Sequence, residues 1–204
     1  EHLNRRLELG KFSGRRCLVL GSLHPAEFAQ LKPAIQMLAD HETALIVAPR
    51  NPSLAAEWLS ELQAIGCTAQ LRSQLSTALC SRLLLLDTMG ELAGIYRLAD
   101  AAFVGGSLDP AVGGHNPLEV MQQRVPLIMG PHCRNFADIV AQLQETGGIK
   151  IVDDCQGFAD AARLLLSASP DAGLMVQSAD AVLAENRGCL QRTLQAVLAT
   201  IDHT

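Results

Sequence analysis

Ala101-Ala102-Phe103-Val104-Gly105-Gly106-Ser107-Leu108-Asp109-Pro110-Ala111-Val112-Gly113-Gly114-His115-Asn116-Pro117-Leu118-Glu119 joins a short apolar run to a loop bracketed by two glycine pairs and then to a helix start. Four apolar residues without polar alternation fit a strand covered on both faces. Asn116 followed by Pro117 and, three residues on, Glu119 supplies an N-cap, a proline at N1 and a first-turn carboxylate. The same grammar recurs outward in both directions. Runs at 17–21, 44–48, 68–71, 83–86, 127–129 and 149–152 read as strands. Helical stretches are expected at 25–40, 53–65, 91–99, 117–123, 135–145 and 157–167, with two more at 174–185 and 189–199. Strands and helices that alternate along most of the chain demand a mostly parallel sheet with right-handed crossovers, so the expected fold class is α/β, Rossmann-like and doubly wound, with C-terminal helices.

Composition narrows the function classes. A net charge of −5 over 204 residues argues against a nucleic-acid surface, which needs a concentrated basic stripe. The longest apolar runs are strand-length, well short of the ~18 residues of a membrane span. Cysteines 17, 67, 80, 133, 155 and 189 are scattered without a CxxC pair and read as reduced thiols. His132-Cys133 and the upstream His115 match no standard metal-ligand spacing, so no metal is expected. The periodic pattern starts at Cys17, so residues 1–16 read as a linker from a preceding domain and 17–204 as one domain.

In a doubly wound sheet ordered 3-2-1-4-5-6, ligands bind beyond the carboxyl ends around the first and fourth strands. Counting along this chain, the first, fourth and fifth strands are expected side by side. The first ends in Gly21-Ser22-Leu23-His24-Pro25-Ala26-Glu27. The fourth ends in Asp87-Thr88-Met89-Gly90-Glu91, a literal T-x-x-E capping box, and the fifth in the glycine-bracketed loop. Each motif alone is ordinary punctuation. Together, three helix N-termini on one crevice offer free backbone N–H groups to an anion, and their first-turn carboxylates can accept from sugar hydroxyls. A phosphate joined to a ribose wants that mixture. After the second strand stands Pro49-Arg50 rather than an acidic residue, and no G-x-G-x-x-G turn follows the first, which excludes the usual dinucleotide fingerprint.

These residues carry a resemblance. Asp87-Thr88-Met89-Gly90-Glu91-Leu92, Ala102-Phe103-Val104-Gly105-Gly106-Ser107, Gly113-Gly114-His115-Asn116-Pro117-Leu118-Glu119, and Met129-Gly130-Pro131-His132 followed by Asn135-Phe136 closely resemble bacterial 3-deoxy-D-manno-octulosonic acid (Kdo) transferases. The resemblance covers that family's C-terminal half. It implies one Rossmann-like half of a GT-B glycosyltransferase, and transfer of Kdo from CMP-Kdo to a lipid A precursor at the cytoplasmic face of the inner membrane. Inversion at the anomeric centre without a required metal or other cofactor is implied as well. The implied partners are the CMP-Kdo donor, the acceptor through a separate N-terminal domain, and the membrane surface; nucleic acid is not among them. Carried onto matching positions, the resemblance implicates Ser22, Arg50, Met89, Gly90, Glu91, Asn116 and Glu119, with Glu119 on the ribose hydroxyls. Thr88, Gly105, Gly106, Ser107, Gly114 and His115 of the same turns complete the expected nucleotide-binding set. The general base falls outside the chain, so no catalytic residue is assigned. Within Ser22–Glu27, Leu23 and Ala26 depart from the family's Ser-Thr-His-x-Gly-Glu pattern, and within Arg50–Ser53, Asn51 and Ser53 depart from its Arg-His-Pro-Glu. The residues alone leave open a different GT-B enzyme acting on a UDP-sugar, or a nucleotide-binding domain without turnover.

Overall fold

A computed structural model describes residues 15–39, 42–75, 82–167 and 169–201, with side chains through Asn186. Residues 1–14 of the expected linker, Asp40, Cys80 and the side chain of Cys189 therefore lie outside the described residues. Seven parallel strands form one sheet: β1 (Arg16–Leu23), β2 (Thr43–Pro49), β3 (Ala69–Leu71), β4 (Leu83–Leu85), β5 (Ala101–Val104), β6 (Leu127–Met129) and β7 (Lys150–Ile151). Between them run α1 (Pro25–Leu38), α2 (Ala55–Ala64), α3 (Leu92–Ile95), α4 (Leu118–Gln122), α5 (Ala137–Thr146) and α6 (Cys155–Leu166), followed by α7 (Pro170–Ile201).

The strands sort their side chains by period two. Leu18, Leu20, Leu45, Val47 and Phe103 face a core built with Phe28, Trp58 and Phe158 of α1, α2 and α6. Cys17, Val19, Ile46, Ala102 and Val104 face the opposite core, with Tyr96, Met121, Leu143 and Val182. Both faces are covered, which is why the runs read as continuously apolar. Trp58 stacks on Phe28 with ring centroids 4.0 Å apart, locking α2 against α1.

The strand order is β3-β4-β2-β1-β5-β6-β7, which corrects the expected adjacency. β1 pairs with β2 and β5, whereas β4 pairs with β2 and β3. The three-residue β3 is an added edge strand. With it set aside, the order becomes the expected 3-2-1-4-5-6, and Ala101–Val104 takes the fourth place. The switch point therefore lies between β1 and β5, and the turn after β4 sits on the far side of β2.

Two helical expectations also change. The stretch 91–99 is only a four-residue α-helix followed by a 3-10 turn, Tyr96–Leu98. The two C-terminal stretches form one continuous helix, α7, because Gly188 costs about 1 kcal/mol in a helix without breaking it.

The switch point is fastened by one buried side chain. Glu27, 1% exposed, accepts from His24 N–H at 3.1 Å and from Gly106, Ser107 and Leu108 N–H at 2.6, 3.0 and 2.9 Å. Gly105 permits the approach: a Cβ there would fall 2.5 Å from the Ser22 carbonyl oxygen and 2.9 Å from Leu23 Cα. Gly106, at φ +73°, carries the chain into a left-handed turn.

Glu27→Gln would point an amide donor at a cluster of donors, leaving one or two buried N–H groups unpaired. Stability should fall by about 3 kcal/mol in denaturant unfolding with an unchanged m value. Gly105→Ala should cost at least as much, because the atoms in its way are backbone.

Candidate functional site

The predicted residues fall into two groups along the carboxyl edge of the sheet. At the switch point stand Ser22, Arg50, Gly105, Gly106, Ser107, Gly114, His115, Asn116 and Glu119. The turn 88–91 forms a second group beyond β4, and among the described residues no hydrogen bond joins it to Ser22 or Asn116.

Ser22 is the extra residue of a bulge in β1: the register passes from Leu20↔Val47 to Leu23↔Pro49. Its φ of 57° is left-handed, a region that non-glycine residues adopt at a cost of order 1 kcal/mol. Arg50 N–H donates to Leu23 O at 2.8 Å, which brings the end of β2 against the bulge. The Arg50 side chain is exposed and makes no ion pair among the described residues.

The loop after β5 closes on itself. Gly114 N–H donates to Gly106 O at 2.7 Å and His115 N–H to Gly105 O at 3.1 Å. Arg134 donates to the carbonyls of Pro110 and Ala111, and Asn135 Nδ2 to those of Val112 and Gly114 at 3.1 and 3.0 Å. The stretch from His132 to Phe136 thus clasps the loop from outside. The closed loop sets His115 Nε2 2.8 Å from His24 Nε2, with the two rings nearly parallel. The His115 imidazole is pushed down to about 4 by burial first, then by the neighbouring His24 and the positive Arg50. Arg50, His24 and His115 therefore share one neighbourhood.

Beside them lies a residue that the sequence reading did not single out. A Cβ on Gly21 would meet Tyr96 Oη at 1.8 Å, so the phenol fills the space over the end of β1. Its pKa is raised by burial and then by the charge of Glu119, which places Glu119 close to that ring. Asn116 Oδ1 accepts from Leu118 N–H at 3.0 Å, while Pro117, expected at N1, stands at the N-cap of α4. The Glu119 carboxylate is half-buried and makes no hydrogen bond or ion pair among the described residues.

Several expected ligand groups are already occupied. The amides of Gly106 and Ser107 are held by Glu27, so the anion in the glycine cradle is the protein's own carboxylate. Ser107 is fully buried: its Oγ donates to Val104 O and accepts from Gly130 N–H, and its carbonyl accepts from His132 N–H. The capping box at Thr88 does not form. Glu91 instead sits at the N-cap of α3, taking Arg72 Nη2 on Oε1 at 3.1 Å and Thr88 Oγ1 on Oε2 at 2.5 Å. Asp87 holds Ser73 through both its N–H and its hydroxyl. The buried guanidinium of Arg72 wins the carboxylate because an unpaired charge there would cost several kcal/mol. Of Glu27, Glu91 and Glu119, Glu119 alone has no partner among the described residues; Gly90, at φ +77°, and Met89, 77% exposed, lie at the open surface of their turn.

His24, Glu27, Arg72 and Tyr96 were not among the predicted site residues. His24 and Glu27 stand inside the quoted post-β1 turn, and Arg72 directly follows a strand end, so position was the available signal. Tyr96 gave none, since nothing in its neighbours says that it reaches Gly21.

Comparison with known proteins fits this geometry. No protein-family model matches the chain. A 3-deoxy-D-manno-octulosonic acid transferase of Chlamydia muridarum is 35% identical over 151 residues, 74% of this chain and 35% of the relative. The Bordetella pertussis transferase of that name is 33% identical over 91% of this chain and 45% of its own length. This chain thus spans under half of those curated relatives. The crystal structure of the C-terminal CMP-Kdo binding domain of WaaA from Acinetobacter baumannii superposes with a TM-score of 0.82 at 30% identity, covering 89% of this chain and 96% of that one. The chain belongs to the 3-deoxy-D-manno-octulosonic acid transferase family and corresponds to its C-terminal domain.

Proposed function

We propose that this chain binds CMP-Kdo at the switch point between β1 and β5, as the donor half of a Kdo transferase. The observation that carries the reading is the set of groups left there without a hydrogen-bond or ion-pair partner among the described residues: the Arg50 guanidinium, the Ser22 hydroxyl and the Glu119 carboxylate, beside the two imidazoles. A cation suits the phosphate, and a carboxylate suits paired ribose hydroxyls. The family membership and the A. baumannii domain's printed CMP-Kdo binding support the same ligand.

α3 and α4 are four and five residues long, too short to supply much dipole, and the N-terminus of α1 is closed by Glu27. Charge stabilisation in this half therefore rests on Arg50 and the imidazoles rather than on helix ends. In the transfer, an acceptor hydroxyl oxygen bonds to the anomeric carbon of Kdo as the bond from that carbon to the phosphate oxygen breaks. The electron pair leaves with CMP, and Arg50 opposes the charge that grows on the departing phosphate. The hydroxyl proton goes to a base outside this chain. That base, a lipid A precursor as acceptor, inversion at the anomeric carbon and work at the cytoplasmic face of the inner membrane belong to the same proposal. No helix among the described residues is long and apolar enough to cross a membrane, so in this reading attachment comes from elsewhere.

Calorimetric titration of the 204-residue chain with CMP, and with UMP for comparison, tests the reading. CMP should bind and UMP more weakly; absence of CMP binding, or equal affinity for both, contradicts it. Glu119→Ala should weaken CMP by roughly 1–3 kcal/mol, about 5- to 150-fold. Ser22→Gly separates stability from binding. Relief of the left-handed backbone should leave unfolding stability unchanged or up to about 1 kcal/mol higher, while loss of the hydroxyl lowers CMP affinity. A Ser22→Gly protein that binds CMP normally would remove Ser22 from the site.

A further inference from the structure

We propose that the His24–His115 pair is a single-proton acceptor coupled to donor binding: it takes up one proton when the anionic ligand occupies the neighbourhood of Arg50. This rests on the proposed CMP-Kdo site and adds to it a titrating element.

The geometry sets the limit of one proton. Two imidazole Nε2 atoms 2.8 Å apart require a hydrogen between them, so one ring donates and the other accepts. In the neutral pair the donor ring then has a bare Nδ1, while the acceptor ring carries its proton on Nδ1. One additional proton enters at the bare Nδ1, giving an imidazolium that donates to a neutral imidazole, a charge-assisted contact stronger than the neutral one. A second additional proton would set two N–H groups head to head and break the pair. The capping box of α1 turns the Glu27 N–H toward the His24 side chain, which marks His24 as the ring with the bare Nδ1, and the entering proton displaces that contact.

The surroundings decide when that proton enters. Glu27 on α1 has both carboxylate oxygens taken by four backbone N–H donors. Arg50 after β2 is positive and opposes protonation, as burial does. Glu119 on α4 and the Tyr96 phenol lie on the Gly21 side, and Arg134 is bound to loop carbonyls. Without ligand the balance is against a charged pair, and His115 is held near 4. A phosphate against Arg50 reverses the sign of the local field, and a sugar carboxylate adds to that reversal. The pair's pKa is then higher in the bound state than in the free state. The complex holds more protons, and affinity must rise as pH falls through the bound-state pKa.

The test uses a ligand without a titration of its own in the range. CMP is unsuitable because its phosphate takes a proton near pH 6; the methyl ester of CMP, a phosphodiester, does not. Titration calorimetry of the 204-residue chain with this ester, in buffers of different ionisation enthalpy at pH 6, 7 and 8, reads proton uptake directly. Uptake should be roughly half to one proton at pH 6, vanish by pH 8, and appear as an affinity gain of up to about tenfold per pH unit. The doubly substituted His24→Gln, His115→Gln chain should bind with no uptake. Imidazole Cε1–H shifts of the wild-type chain provide a second readout that needs no substitution: His24 and His115 should move together, in one step, to a higher pKa when the ester is added. Binding without uptake between pH 6 and 8, uptake retained in the double variant, or two rings titrating independently would overturn this inference and leave the donor site standing. No binding of the ester or of CMP would overturn both.

Discussion

Four backbone N–H groups converging on one buried carboxylate hold this domain's working edge together. Glu27 ties the first turn of α1 to three consecutive amides after β5, across 79 to 81 residues of sequence. Consecutive amides of that kind form a nest that attracts anions. Here the fold fills the nest itself. The filled nest fixes the path of the loop after β5, and the clasp by Arg134 and Asn135 closes it, so that His115 meets His24.

In the proposed site, recognition falls to side chains that the fold leaves open, and among the described residues these are few. They include one cation, one carboxylate, one hydroxyl on a strained bulge, and a pair of imidazoles, all around the ends of β1, β2 and β5. Their signs differ, which suits a ligand that is anionic at the phosphate and hydroxylated at the sugar. A dinucleotide site of the same topology instead lays its pyrophosphate on amides at a helix N-terminus. Here the corresponding helix, α1, carries a carboxylate on that end. The same topology thus leaves a different set of groups open at its carboxyl edge.

The architecture was legible because the runs at 17–21, 44–48 and 101–104 are apolar throughout, and period-two burial on both faces leaves no other reading for them. The order of strands was misread for a local reason. β3 is three residues long, and strand counting gave it the weight of a full member of the sheet. The site was legible in position but not in partnership. Asn116 stands at the start of α4, one residue ahead of the N-cap, with its Oδ1 on Leu118 N–H. Glu27 and Glu91 sit in equally convincing first-turn positions, yet both carboxylates are taken by groups far away in sequence. A motif announces that a carboxylate stands at a helix start; whether it faces ligand or protein depends on tertiary contacts such as Arg72, which no local window contains. The connection of Tyr96 to Gly21 was invisible for the same reason.

The Arg72–Glu91 pair bears on how the turn after β4 relates to the switch point. Side-chain exposures of 8% and 14% mean that both charges have lost most of their water, and Arg72 Nε finds no partner. Desolvation offsets much of the attraction in such pairs, and well-packed apolar replacements are often as stable. Stability is therefore a weak account of it. Its geometric effect is plainer: with β3 and β4 only three residues each, the bridge joins the turns that follow them and fixes where α3 begins. From Leu92 the chain makes one α-turn and one 3-10 turn before Tyr96 packs over Gly21. A shift at Glu91 would travel along those two turns to the floor of the site and to the neighbour of Glu119. The buried pair thus bears on the place of Tyr96 over Gly21 through the start of α3.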